Sequence, residues 1–151
     1  MGATRGNPFA ALDDDKLLAL TIYGEARGER ISGKCAVGSV IINRARIGGW
    51  YGKGIKGVIL KPFQFSCFLP NDPNMLILRE IALNWDDHYA EDKVLRMCHT
   101  IAKGLLDEKG AGSLSRQDIT HYKTNKCKAS WEDKMEKVCV IGNHSFFKEK
   151  A

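Results

Sequence analysis

In the stretch Tyr23-Gly24-Glu25-Ala26-Arg27-Gly28-Glu29, the apolar face of a predicted helix meets a glycine. Asp13 suits an N-cap and Gly28 suits the residue just past a helix, so the sequence predicts a helix between them. Ile22 lies one turn before Glu25, which places this carboxyl on the face that packs against the core. Partial loss of water disfavours a charged carboxylate, so the placement suits a proton donor. On spacing alone, a solvated helix end with two glutamates explains the same residues.

Periodic patterns predict the other elements. Apolar residues surround most of 32–47, which predicts a buried central helix, and they recur every three or four positions over 91–109, which predicts an amphipathic helix. Aromatic and polar residues alternate over 63–68, which predicts a strand. Three more runs are predicted as strands, the last two joined as a hairpin by Gly142-Asn143: 119–122, 138–141 and 144–147.

Five further motifs follow the opening stretch in order. They are Val40-Ile41-Ile42-Asn43-Arg44, Pro62-Phe63-Gln64-Phe65-Ser66, His121-Tyr122, Trp131 and Ile141-Gly142-Asn143-His144-Ser145-Phe146-Phe147. Over roughly residues 17 to 147, the order and approximate spacing resemble the spore-cortex-lytic and cell wall hydrolase family of the SleB/CwlJ type. The resemblance implies an α+β fold, mainly helical and lysozyme-like with a small β-hairpin or sheet region. It also implies cleavage of peptidoglycan, with Glu25 as the catalytic acid.

Glycan cleavage needs a proton at the glycosidic oxygen, and the usual machinery is a pair of carboxyls. The sequence offers one convincing member, Glu25, and Glu29 is a candidate secondary acid one turn later. A lone acid suits a lytic transglycosylase, in which the 6-hydroxyl of muramic acid attacks the anomeric carbon. By the resemblance, Glu25 protonates the leaving oxygen and then accepts the proton of that hydroxyl.

The resemblance also assigns substrate-binding residues. Gln64, Ser66, His121 and Tyr122 fall on the matching motif positions and are expected to line the cleft. Amide and hydroxyl groups close to aromatic surface suit sugars, because they both donate and accept hydrogen bonds. An edge strand with solvated polar residues is the alternative for Gln64 and Ser66, and a structural hydrogen-bonded pair is the alternative for His121 and Tyr122.

Two enzyme classes and one binding class compete with this interpretation. A hydrolytic muramidase cuts the same bond with water, and an N-acetylmuramoyl-L-alanine amidase cuts the bond between muramic acid and peptide. Such amidases commonly hold zinc through histidines, whereas His88, His99, His121 and His144 show no ligand spacing, so no metal and no cofactor are expected. A non-catalytic module that binds the wall or nucleic acid is the remaining alternative.

Size and charge limit the domain organisation and the partners. The chain has 151 residues, a length that predicts one domain. We assign residues 13–151 to this catalytic domain, which starts with the first predicted helix, and residues 1–12 to an N-terminal extension. The formal net charge of +5 favours approach to anionic cell-envelope polymers in addition to the glycan strands of peptidoglycan. No zinc-finger, RNP or helix-turn-helix signature accompanies the basic residues, so we expect no nucleic-acid partner, and we expect a monomer.

The sequence also bears on location. The segment 1–9 lacks the apolar run of a signal peptide, and no apolar stretch is long enough for a transmembrane segment. Five cysteines without metal-ligand spacing are expected to be reduced thiols. For a chain that resembles wall hydrolases, these features lead us to expect a phage or prophage endolysin that stays in the host cytoplasm until it is released to the periplasm and wall. A chain from which a signal peptide has been removed is the alternative.

Overall fold

The computed structural model of the protein describes residues 7–61, 64–107 and 118–150. Those residues form six α-helices and a small antiparallel sheet, which confirms the mainly helical α+β class. The elements are α1 (Asp14–Ala26), α2 (Ile31–Ile47), α3 (Gly54–Ile59), α4 (Pro73–Leu83), α5 (Trp85–Glu91), α6 (Lys93–Asp107), β1 (Ile119–Thr124), β2 (Met135–Ile141) and β3 (His144–Glu149). Every helix in these ranges is too short or too polar to cross a membrane.

Helix α1 runs through the middle of the helical part. It begins after Asp13, as the sequence predicts, and ends at Ala26, before the glycine. Its apolar residues face α6, α2 and α4, and Leu17, Leu18 and Leu20 are fully buried. Phe9, from the segment predicted as an N-terminal extension, packs into the same core, while residues 1–6 lie outside the described ranges. Helix α2 is also buried over most of its length, so α1 and α2 together form the centre.

The sheet has the strand order β1-β3-β2, with β3 between its two antiparallel neighbours. Residues 144–147 of β3 are buried. Phe146 packs on α2, and the ring of Trp131 covers Phe147 on the other face. Phe146 and Ile119 join Ala36, Val37 and Val40 of α2 in a second apolar cluster. The sheet is therefore fixed to the helical part through α2, and β1 lies beside it.

Two predicted elements differ from the structure. The strand predicted over 63–68 is wrong: Ser66–Phe68 form a 3₁₀ turn, and positions 62 and 63 lie outside the described residues. The alternation is real, because Phe65 and Cys67 are buried and Ser66 is exposed, but it arises where a tight turn packs against α1 and α4. The amphipathic helix begins at Lys93, after the separate short helix α5, and its predicted end at 108–109 is outside the described ranges.

Gly24 allows this turn to pack tightly against α1. A Cβ atom at position 24 would lie 2.8 Å from Cδ1 of Leu78 and 2.9 Å from both Cβ and Sγ of Cys67. We expect Gly24→Ala to lower the free energy of unfolding by about 1–3 kcal/mol, because the added methyl group overpacks the core. Gly28→Ala is the control, since its Cβ would meet no atom within 4 Å. Urea unfolding of both variants measures the difference, and equal midpoints would contradict the close packing.

Candidate active site

A cleft of about 370 Å³ opens where the end of α1, the last turn of α2 and strand β1 meet. Its walls include five residues that the sequence predicts for the site: Glu25, Gln64, Ser66, His121 and Tyr122. Four more residues complete the lining: Arg44, Trp50, Phe65 and Trp131. The structure thus brings together groups that are far apart in the sequence, such as Glu25 and Tyr122 at a separation of 97 positions.

Glu25 lies in the last turn of α1 and is half-buried. Its Oε1 atom accepts a hydrogen bond of 2.5 Å from the hydroxyl of Tyr122 on β1. Burial raises the pKa of Tyr122 well above its ordinary value, and the adjacent Glu25 carboxylate raises it further. The buried Cys67 thiol also hydrogen-bonds Glu25, and burial followed by the same carboxylate raises the thiol pKa. Both groups therefore keep their protons at neutral pH and act as donors to Glu25.

Arg44 and its neighbour Asn43 attach β1 to α2. The Nε atom of Arg44 donates to the carbonyl of Thr120 at 2.7 Å, and Nδ2 of Asn43 donates to the carbonyl of Ile119 at 2.8 Å. Both carbonyls lie where the pairing of β1 with β3 changes register between Ile119 and His121. The two side chains therefore supply donors at an irregular point of the sheet.

The guanidinium of Arg44 is also part of the cleft. Arg44 as a whole is only 7% exposed, and burial lowers its pKa, although the nearby Tyr122, Tyr51 and Glu25 act in the opposite direction. Its Nη1 atom approaches Oε1 of Gln64 at 3.4 Å, which orients that amide. Arg44 belongs to one of the motifs in the sequence, but the sequence patterns predicted no role for it. The signal was a strongly basic residue inside an otherwise buried helix.

His121 stands in a row of aromatic rings along the cleft. Its ring centroid lies 4.8 Å from that of Trp131 and 6.0 Å from that of Tyr51. Burial, followed by the positive charge of Arg44, lowers the pKa of His121 from 6.5 to about 4. The imidazole is therefore neutral at neutral pH, and its Nδ1 atom is 2.9 Å from the hydroxyl of Thr120.

Glu29, the candidate secondary acid, does not line this cleft. Its carboxylate accepts hydrogen bonds from the backbone nitrogen of Asn143 at 2.9 Å and from Nδ2 of the same residue at 2.8 Å. Nδ1 of His144 lies 3.7 Å from the carboxylate. Burial acts to raise the pKa of Glu29, but the hydrogen bonds from Asn143, together with the charges of His144 and Lys34, make the net shift downward. Glu29 therefore ties the turn between α1 and α2 to the hairpin turn between β2 and β3.

The histidines occupy separate surroundings. His88 lies 3.2 Å from a carboxylate oxygen of Glu80, and His99 lies 2.7 Å from a carboxylate oxygen of Asp15. Within residues 7–61, 64–107 and 118–150, no three His, Cys, Asp or Glu side chains are arranged to hold a metal ion.

The chain matches the model of a known protein family. The family model described as cell wall hydrolase matches residues 28–147. The chain belongs to the cell wall hydrolase family. The match spans most of the chain and confirms the resemblance drawn from the motifs. It begins just after Glu25, so the role of Glu25 rests on the opening motif and on the geometry of the cleft.

Individual relatives share shorter parts of the chain. A spore cortex-lytic enzyme of Bacillus subtilis is 41% identical over 54 residues, which cover 36% of this chain and 17% of the relative. One from Oceanobacillus iheyensis is 33% identical over 81 residues, which cover 49% of this chain and 29% of the relative. The matched part thus spans less than a third of either relative. No solved structure matches the chain, and the lysozyme-like character of the fold stays a prediction.

The depressed pKa of His121 predicts a pH-dependent stability. Between pH 6.5 and about 4 the unfolded chain binds a proton at His121 that the folded protein does not, so this residue lowers stability as pH falls through that range. We expect His121→Gln to lose less stability than the parent between pH 7 and pH 4.5. Urea midpoints at the two pH values measure this, with His88→Gln as the control outside the cleft. Identical losses in His121→Gln and the parent would contradict the burial of a neutral imidazole.

Proposed function

We propose that the protein cleaves the glycosidic bond between MurNAc and GlcNAc in peptidoglycan as a lytic transglycosylase, with Glu25 as acid and base. The observation that carries the proposal is that Glu25 is the one carboxylate among the described residues lining the cleft. A transglycosylase needs one such group, because the sugar itself provides the attacking hydroxyl. Membership of the cell wall hydrolase family supports the substrate class.

In the first step, protonated Glu25 gives its proton to the glycosidic oxygen, and the bond from the anomeric carbon to that oxygen breaks. Positive charge then develops on the MurNAc ring, beside the new Glu25 carboxylate. In the second step, the 6-hydroxyl oxygen of the same MurNAc bonds to the anomeric carbon, and Glu25 takes the hydroxyl proton. The product is a 1,6-anhydro sugar, and Glu25 returns to its protonated form.

Tyr122 and Arg44 prepare Glu25 for both steps. The Tyr122 hydroxyl fixes the orientation of the carboxyl group through its bond to Oε1. The buried charge of Arg44 interacts favourably with the carboxylate form, which exists between the two proton transfers. Neither residue exchanges a proton in this mechanism, so both are positioning residues.

Three polar groups are placed to bind the sugar. The oxygen of the Gln64 amide faces Arg44, which leaves its nitrogen as a donor to substrate. Ser66 is exposed on the cleft wall, and its hydroxyl both donates and accepts. The neutral imidazole of His121 has one nitrogen beside Thr120 and another for the ligand. These groups suit the neutral hydroxyl and acetamido groups of a glycan.

Hydrolytic muramidases and zinc amidases require different catalytic groups. An inverting or retaining hydrolase uses a second carboxylate within about 5–9.5 Å of the first, whereas Glu29 is engaged by Asn143 at the hairpin turn. A zinc amidase needs three protein side chains as zinc ligands and an open coordination position. No three His, Cys, Asp or Glu side chains among the described residues are arranged in that way.

The biological role belongs to the same proposal. We place the enzyme as a phage or prophage endolysin, held in the host cytoplasm before it reaches the wall. The net charge of +5 supports this role, because long-range attraction draws a basic protein to the anionic polymers of the envelope.

Replacing the acid tests the mechanism. Glu25→Gln keeps the size of the side chain but removes the proton, so we expect the rate of peptidoglycan cleavage to fall by about a hundredfold to ten-thousandfold. Glu91→Gln removes an exposed carboxyl from α5 and is the matched control. Mass spectrometry of digests by the parent should show muropeptides that end in 1,6-anhydro-MurNAc.

Other products would point to other chemistry. Reducing ends would identify water as the nucleophile and a muramidase as the enzyme. Free peptides released from intact glycan, with activity lost to EDTA and restored by zinc, would identify an amidase. Wall cleavage by Glu25→Gln at the parental rate would refute the assignment of the acid.

Removing the Tyr122 hydroxyl tests the positioning of Glu25. Tyr122→Phe keeps the ring beside His144 and Phe146 but loses the donor to Glu25. A hydrogen bond to a charged group contributes about 1.5–3 kcal/mol, so we expect kcat to fall by about tenfold to a hundredfold while KM changes little. Tyr23→Phe is the control, because it loses a similar bond to Asp92 away from the cleft. Equal activity of the two variants would contradict the role of Tyr122.

A further inference from the structure

A second cleft of about 420 Å³ adjoins the one that contains Glu25. Trp50 and His121 line both clefts, so the two spaces adjoin at this pair of rings. The remaining walls of the second cleft come from the turn after α2 and from one end of the sheet, where the start of β2 pairs with the end of β3: Tyr51, Lys134, Met135, Glu149 and Lys150. A ligand that extends from Glu25 past Trp50 enters this second cleft.

Trp50 offers an aromatic surface to such a ligand. Its side chain is 68% exposed, although tryptophan is usually well buried and its ring carries a large apolar surface. The ammonium of Lys61 lies 3.6 Å from its ring centroid, and the ring of Tyr51 meets it edge-on at 5.7 Å. These contacts hold the indole at the rim between the clefts. A pyranose ring has an apolar face of C–H groups, which stacks on exposed aromatic surface.

Glu149 supplies an oriented acceptor inside the second cleft. The hydroxyl of Tyr51 donates to its Oε2 atom at 2.9 Å, which fixes the carboxylate at the end of β3. Tyr51 is itself buried beneath the positive charge of Arg44, at 5.6 Å from its ring. A fixed carboxylate accepts hydrogen bonds from neutral hydroxyl or amide groups and disfavours an anion. The neutral imidazole of His121 has the same preference for an uncharged partner.

We propose that the Tyr51–Glu149 cleft is a saccharide subsite, which holds the glycan strand beyond the sugar that is cut at Glu25. The inference rests on the proposed function and extends it from one bond to a longer substrate. In this arrangement a glycan chain crosses Trp50, and its hydroxyl groups donate hydrogen bonds to the carboxylate of Glu149. Affinity therefore increases with the length of the oligosaccharide until both clefts are filled.

Binding of peptide-free glycan oligomers tests the proposal. The probes are the tetrasaccharide, hexasaccharide and octasaccharide of alternating GlcNAc and MurNAc, with each MurNAc lactyl carboxyl capped as a neutral amide. The protein carries Glu25→Gln so that they stay intact. We expect the affinity measured by calorimetry to rise with length. Adding Glu149→Ala should lower the affinity for the longest oligomer by about tenfold or more, because one hydrogen bond to a charged group is lost. The affinity for the shortest oligomer should not change. Adding Trp50→Ala should weaken the binding of all oligomers.

Glu136→Ala is the matched control, since Glu136 is an exposed glutamate of β2 that lines neither cleft. Thermal melting checks that each variant is folded. Affinity that does not depend on length, or that Glu149→Ala leaves unchanged for every oligomer, would overturn the subsite alone. A gain that appears only with peptide-bearing glycan and disappears in Lys134→Ala and Lys150→Ala would overturn it in favour of a stem-peptide site. Failure of every oligomer to bind would overturn the proposed function together with the subsite.

Discussion

The hydrogen bond from Tyr122 to Glu25 joins the sheet to the helical core at the point where we propose the chemistry occurs. Its geometry depends on two other parts of the fold. Arg44 and Asn43 hold β1 on α2 through the carbonyls of Thr120 and Ile119, and this fixes the strand that carries Tyr122. Gly24 lets the turn at Cys67 approach α1, and the thiol then provides a second donor to Glu25. The carboxyl group is thus held from both sides by elements that are distant in sequence.

Two glutamates of one motif have different roles in this structure. Glu25 and Glu29 are four positions apart, which would place them on one face of a continuous helix. Because α1 ends at Ala26, Glu29 turns away and binds Asn143 in the hairpin turn. That turn precedes β3, the central strand, and β3 pairs with β1 along Tyr122. Glu29 therefore supports the sheet that carries Tyr122, while Glu25 faces the cleft.

Local patterns predicted α1, α2, α6 and the three strands, because periodic burial is a property of neighbouring residues. The same reasoning failed at Phe65 to Phe68, where alternating burial comes from a tight turn. The grouping of Gln64, Ser66, His121 and Tyr122 with Glu25 came from the family resemblance, since contacts over such separations leave no local signal. Arg44 and Cys67 were missed for that reason: their partners Thr120 and Glu25 lie 76 and 42 positions away.

The most direct test of this account is a crystal structure of Glu25→Gln bound to an uncleaved peptidoglycan fragment that carries both glycan and stem peptide. If Glu25 is the acid, the glycosidic oxygen between MurNAc and GlcNAc lies within hydrogen-bonding distance of the side chain at position 25. The MurNAc 6-hydroxyl then also faces that side chain. A complex in which residue 25 contacts the amide bond between muramic acid and peptide, or in which the glycan lies outside the cleft, would contradict this account.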